Sequence, residues 1–115
     1  MILYIYSKCS TCQDALKFLE QKNVSFIRKE IVETAPSVDE LRTMLYYMSG
    51  NVKKLFNTSG LLYREMKLTE KVPLMSEDDA LLLLSKHGML VKRPFLLGDD
   101  FGLLGFKEAE WSEKI

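Results

Sequence analysis

Apolar residues open the chain in an unbroken run, Ile2-Leu3-Tyr4-Ile5-Tyr6, rich in β-branched and aromatic types and closed by Ser7-Lys8. This predicts a short, largely buried strand followed by a turn. After Cys12 the spacing changes. Ala15, Leu16, Phe18 and Leu19 recur at helical intervals between Asp14, Lys17, Glu20 and Gln21. An amphipathic helix is therefore expected to about Lys22, with Asn23 ending it. From Val24 to Ile31 the apolar positions Val24, Phe26, Ile27 and Ile31 stand against Ser25, Arg28 and Glu30, which reads as a second strand. Strand, helix, strand in succession suggests a parallel βαβ unit.

Ala35-Pro36-Ser37 breaks the pattern, and Ser37-Val38-Asp39-Glu40 has the form of a capping box with Ser37 as N-cap. Val38, Leu41, Met44, Leu45 and Met48 keep a three-four spacing until Ser49-Gly50, so a second helix is expected there. Asn51 to Met66 reads as two short helical pieces around the polar Asn57-Thr58-Ser59-Gly60. Acidic Glu77-Asp78-Asp79 suits a helix N-terminus, and Ala80 to Leu84 continues that helix as a buried run before Gly88. Pro94 enters the apolar Phe95-Leu96-Leu97, and Gly98-Asp99-Asp100 then suits a hairpin turn to a strand over Phe101 to Leu104. Lys107 to Lys114, with Ala109 and Trp111 apolar, predicts a terminal helix. The expected order is βαβ, a helical insertion over about 37–89, then ββα: an α/β fold.

A length of 115 residues fits one domain, taken as 1–115, and 47% hydrophobic residues argue against disorder. Sixteen Lys and Arg balance sixteen Asp and Glu, so no direct nucleic-acid binding is expected. The apolar runs at Ile2–Tyr6 and Ala80–Leu84 are far short of the roughly 20 residues that cross a bilayer, so no membrane role is expected. The N-terminus lacks a basic segment and a small-residue cleavage site, which makes the cytoplasm the expected address. Both cysteines fall within the first twelve residues and cannot staple distant parts of the chain.

Those cysteines carry the chemistry. Cys9-Ser10-Thr11-Cys12 joins the first strand to a helix start, where orphan N–H groups and the helix dipole favour a negative sulfur. Cys9 lies just before the helix, beside Lys8 and the hydroxyls of Ser7, Ser10 and Thr11. It is the expected nucleophilic thiolate, with Cys12 as the thiol that resolves it. Three other readings are weaker, the first being a chance CxxC, against which stand the strand before it and the helix after it. A polar loop is a poor place for core thiols, and Cys9, Cys12 and His87 fall short of the four ligands of a structural zinc site. His87 itself reads as a surface helix C-cap with no catalytic role. Arg93, immediately before Pro94, is either a solvated charge or a fixed guanidinium facing the cysteine turn. Met44, Met48, Met66, Met75 and Met89 read as core.

Several motifs together resemble the arsenate reductase (ArsC) and Spx family of thioredoxin-fold proteins over essentially the whole chain. They are Tyr6-Ser7-Lys8-Cys9-Ser10-Thr11-Cys12, Phe56-Asn57-Thr58-Ser59-Gly60 with Tyr63-Arg64, Leu90-Val91-Lys92-Arg93-Pro94, and Gly105-Phe106. The resemblance implies a thioredoxin-like fold with a mixed four-stranded sheet, Cys9 as reactive cysteine, and a cis-proline at Pro94. It further implies that, of three oxyanion arginines, Arg93 is kept while Asn57 and Phe106 stand at the other two positions. Two functions follow as expectations. One is a thiol-disulfide oxidoreductase of the ArsC-like branch, with weak or absent arsenate reduction. Its partner would be a protein thiol or a thiol reductant, either glutaredoxin with glutathione or a thioredoxin system. The other is an Spx-like redox switch that binds RNA polymerase through the C-terminal domain of its α subunit. The chain stops at Trp111-Ser112-Glu113-Lys114-Ile115 without a basic tail, which leans toward the first. No metal or organic cofactor is implied by either.

Overall fold

The computed structural model describes residues 1–115. Its sheet has four strands in the order β2-β1-β3-β4. β1 is Ile2–Ile5, β2 Ile27–Glu30, β3 Phe95–Leu97 and β4 Gly102–Leu104. β1 pairs in parallel with β2, Ile2 opposite Ile27, and antiparallel with β3, Tyr4 opposite Phe95. The sheet is therefore mixed, and the expected α/β thioredoxin-like order of elements is the one observed.

Side chains of a strand alternate between the two faces of a sheet, and here both faces are covered. Tyr4, Phe95 and Leu97 enter one apolar cluster with the helical segment between β2 and β3. Leu3, Ile5, Leu96 and Leu103 enter the other, with α1 (Ser10–Gln21) and α6 (Glu108–Lys114). That double burial is why β1 and β3 read as continuous apolar runs. On the first face α2 (Val38–Tyr47) is fixed by its cap. Ser37 Oγ accepts from the Glu40 N–H at 3.1 Å, and Glu40 Oε1 accepts both from the Ser37 N–H at 2.9 Å and from Tyr4 Oη at 2.7 Å. One carboxylate thus closes the helix end and ties it to the central strand. Burial, and then the Glu40 carboxylate, push the Tyr4 hydroxyl well above the ordinary tyrosine range.

Three expectations need correction. The second strand begins at Ile27 rather than Val24, and Ile27 is 59% exposed. β2 is an edge strand with a partner on one side only, while Val24 and Phe26 pack beneath α1 from the loop before it. Phe101 lies in the hairpin turn rather than in β4, its carbonyl accepting from the Gly98 N–H at 2.9 Å. The insertion is also more helical than the pattern suggests. After the 3₁₀ turn Val52–Leu55 and α3 (Leu61–Glu65) come α4 (Leu68–Lys71) and a second 3₁₀ turn, Val72–Leu74. α5 (Glu77–Lys86) follows, capped by Ser76 Oγ accepting from the Asp79 N–H at 3.1 Å.

After α5, exposed His87 takes the C-cap position and the chain crosses directly over Ile31. A Cβ added to Gly88 would sit 2.0 Å from the Ile31 carbonyl oxygen, a backbone atom that cannot step aside. Gly88→Ala should therefore destabilise the fold by about 1–3 kcal/mol, read as a lower urea midpoint at unchanged slope. An unchanged midpoint would mean that the Gly88–Leu90 turn moves freely on β2.

Candidate functional site

The site is built where β1 hands the chain to α1. The Cys9 N–H donates to the Tyr6 carbonyl at 2.9 Å, which closes the turn, and the Gln13 amide nitrogen Nε2 braces it by donating to the Ser7 carbonyl at 2.9 Å. Cys9 is the N-cap of α1 in extended conformation, half-buried, and Cys12 is fully buried one turn along. Both thiols are free.

Their environments drive the two sulfurs apart in acidity. Burial opposes a charged Cys9. The Cys12 N–H, the Cys12 thiol, the Thr11 N–H and the Arg93 charge together outweigh it, and the Cys9 thiol falls below its ordinary value. The neutral Cys9 side chain makes no cap hydrogen bond, so these N–H groups act on the thiolate. Cys12 goes the other way. Burial first, then the neighbouring Cys9 sulfur, push it up to about 12, against the Tyr6 N–H, which donates to Cys12 Sγ at 3.5 Å.

The structure brings Arg93 to this turn. Its guanidinium lies 5.1 Å from the centre of the Tyr6 ring, Nη1 donates to the Met89 carbonyl at 3.3 Å, and Nε is buried without a partner. The Arg93–Pro94 bond is cis. The Pro94 carbonyl accepts from the Gly105 N–H at 2.9 Å, and Gly105 has φ +70°, a conformation that glycine adopts without strain.

Lys8, Ser10 and Thr11 are exposed, and it is the backbone N–H groups of the turn, the Cys12 thiol and the Arg93 charge that lower Cys9, not the Lys8 charge or the hydroxyls. The physical reason is direction: an N-cap position faces the open N–H groups, while the Ser10 and Thr11 side chains point to solvent. Asn57 is tied through its N–H to the Leu90 carbonyl at 2.7 Å, and no hydrogen bond joins it to the cysteine turn. Phe106 packs between Phe18, at 5.6 Å, and Trp111, at 5.1 Å. The sequence pattern does not single out Tyr6, Met89 or Glu30, whose Oε1 accepts from the Ser7 N–H at 3.1 Å. Only the motif Tyr6-Ser7-Lys8-Cys9 points near them. Met89, expected in the core, instead supplies the carbonyl that holds Arg93.

A mixed four-stranded sheet whose first strand runs into a helix that begins on one cysteine and buries a second defines a thioredoxin-fold protein with a dithiol turn. The chain belongs to the ArsC family, which it matches over residues 4–114. It is 45% identical to the uncharacterized protein YusI of Bacillus subtilis over 98% of this chain and 96% of that one. An ArsC family related protein from Bacteroides fragilis superposes with a TM-score of 0.91 at 42% identity, covering 97% of this chain and 94% of that one. The global transcriptional regulator Spx 2 of Bacillus cereus is 26% identical over 96% of this chain and 82% of its own length. No helix is long and apolar enough to cross a membrane.

Proposed function

We propose that the protein is a thiol-disulfide oxidoreductase in which Cys9 attacks and Cys12 resolves. The observation that carries this reading is the opposite drift of the two thiols, Cys9 down and Cys12 up to about 12. The Cys9 thiolate attacks one sulfur of a substrate disulfide, forming a mixed disulfide and releasing the first substrate thiolate. Cys12 then gives up its proton and attacks Cys9 Sγ, releasing the second thiolate and leaving a Cys9–Cys12 disulfide. The substrate gains two electrons, and a thiol reductant, either glutaredoxin with glutathione or a thioredoxin system, returns the dithiol.

The order of events is built into the turn. While Cys9 is a free thiolate it holds the Cys12 proton in place by charge and hydrogen bond. Once Cys9 is bonded that charge is gone, and burial alone then opposes the Tyr6 N–H and the Arg93 charge that stabilise a Cys12 thiolate. Alkylation rates of single-cysteine variants against pH test the assignment. Cys9 should react with a midpoint below that of an ordinary thiol, and Cys12 should stay unreactive through the neutral range. Faster alkylation of Cys12 at neutral pH would reverse the roles.

Arg93 acts on Cys9 through space and has the smallest effect among the groups that lower it. Arg93→Ala should slow Cys9 alkylation at pH 6 by only about three- to tenfold. It should also cost about 0.5–1 kcal/mol of stability through the lost contact with Tyr6. Arg93→Lys should keep most of the rate, because charge rather than a planar fork is what reaches the sulfur. An unaltered rate profile in Arg93→Ala would remove Arg93 from the site. The similarity to Spx supports a second reading, a redox switch on RNA polymerase, and the α subunit of the polymerase is the partner to assay for it.

A further inference from the structure

Next to the thiols, a cleft of about 620 Å3 runs from Thr11 and Arg93 toward α6. Its charge is lopsided. Lys53, Lys54, Lys92, Arg93 and Lys107 line it against the single carboxylate of Glu110, in a chain whose net charge is zero. None of the four lysines is held in an ion pair, since the ion pairs of the molecule both belong to Arg42, with Glu77 and Asp78.

The frame beneath them is fixed. The Lys92 N–H donates to the Leu55 carbonyl at 2.8 Å, and Phe56 bridges Val91, so the segment carrying Lys53 and Lys54 is stitched to the one carrying Lys92 and Arg93. Met48, Phe56, Leu104 and Phe106 supply apolar lining between the charges. The four lysines themselves are exposed and come from three separate segments. Lysines on flexible stems do not converge on a compact ion, but they sum to a field that attracts an extended, negatively charged chain. An apolar lining suits peptide side chains better than a phosphate backbone.

We propose that this cleft docks an acidic polypeptide segment flanking the disulfide exchanged at Cys9, so that the substrates are disulfides of proteins acidic around the reactive cysteine. This rests on the thiol-exchange reading and names its substrate class. The chemistry is the exchange already written. Cys9 forms the mixed disulfide, Cys12 displaces the reduced partner, and an external dithiol restores the pair.

The test uses three model peptide disulfides, identical except for acidic, neutral or basic residues beside the cysteine, reacted with the Cys12→Ser protein. At low salt the acidic peptide should form the mixed disulfide at least about tenfold faster than the basic one, and the ratio should approach unity near 0.5 M salt. In the Lys53→Glu/Lys54→Glu double variant of the same protein, that ratio should fall at least fivefold. Taking the ratio within each variant cancels any change in Cys9 itself. A ratio near one at low salt, with all three peptides reacting, would overturn the docking proposal and leave the thiol reading standing.

Neutral hydroxyethyl disulfide, which needs no docking, tests the thiol reading alone. If it fails to react at Cys9, that reading falls. A labelled cysteine-free acidic peptide, followed by anisotropy, then decides the cleft: binding lost in the double variant supports it, and no binding overturns it. Tighter binding of a single-stranded oligonucleotide through the same lysines would overturn it in favour of nucleic acid.

Discussion

Cys9→Ser should abolish disulfide exchange, and Cys12→Ser should stop the reaction halfway with substrate covalently attached to Cys9. The first loss is expected on the order of 10³-fold or more, because no other sulfur can attack: Cys12 is buried and its thiol is pushed up to about 12. The second variant keeps a Cys9 that starts the reaction. Its burst with a small disulfide should consume one equivalent and then stop, with the adduct visible by mass spectrometry and released by added thiol. Mild peroxide extends the same logic. In the wild type a Cys9 sulfenic acid should condense with the Cys12 thiol, losing water and forming the internal disulfide, whereas Cys12→Ser should proceed to sulfinic acid. Turnover by Cys12→Ser at the wild-type rate, with the same reductant supplied to both proteins, would show that an external thiol resolves Cys9 and that Cys12 is a core residue.

Pattern alone reaches this pair because its chemistry is local. A strand that ends and a helix that starts within a few residues fix the Cys9 backbone beside the open N–H groups, wherever the rest of the fold goes. The capping box at Ser37 and Glu40 is legible for the same reason, yet its third contact, from Tyr4, spans thirty-six residues of chain and has no local signature. The start of β2 is misplaced because alternation cannot distinguish a strand covered on both faces from an edge strand whose preceding loop carries the apolar residues. The turns over 68–74 escape the pattern since Lys67, which redirects the chain at φ 53°, is neither glycine nor asparagine.

Arg93 shows the limit most clearly. Residue type leaves a solvated charge and a site residue equally open, and only tertiary structure supplies Tyr6 beneath the guanidinium and Met89 beside it. The lysine cleft is invisible in the sequence for a similar reason. Its lysines stand at 53, 54, 92 and 107, and a balanced total charge conceals that folding gathers them.

Arsenate, assayed with glutaredoxin and glutathione, should be reduced on the order of 10²-fold or more slowly than by a family member carrying all three oxyanion arginines. A doubly charged oxyanion held against a thiolate needs cations that touch it, and each charge-assisted hydrogen bond contributes about 1.5–3 kcal/mol. If Asn57 and Phe106 stand at two of the three positions, as the resemblance implies, neither can supply one. Asn57 is neutral and held to Leu90 through its backbone, and Phe106 is committed to the aromatic contacts with Phe18 and Trp111. The lysines of the cleft do not replace them, for an exposed ammonium on a mobile stem offers neither a planar fork nor a desolvated contact. Arg93 remains, with its free Nε, and one arginine without the other two recovers only part of the attraction. Salt separates the remaining contributions: any slow turnover carried by the lysine field should collapse as ionic strength rises, while a share carried by partly buried Arg93 should persist. Turnover within tenfold of the three-arginine enzyme would mean that the oxyanion is held by the backbone N–H groups of the Cys9 turn, and that the missing arginines do not decide the substrate.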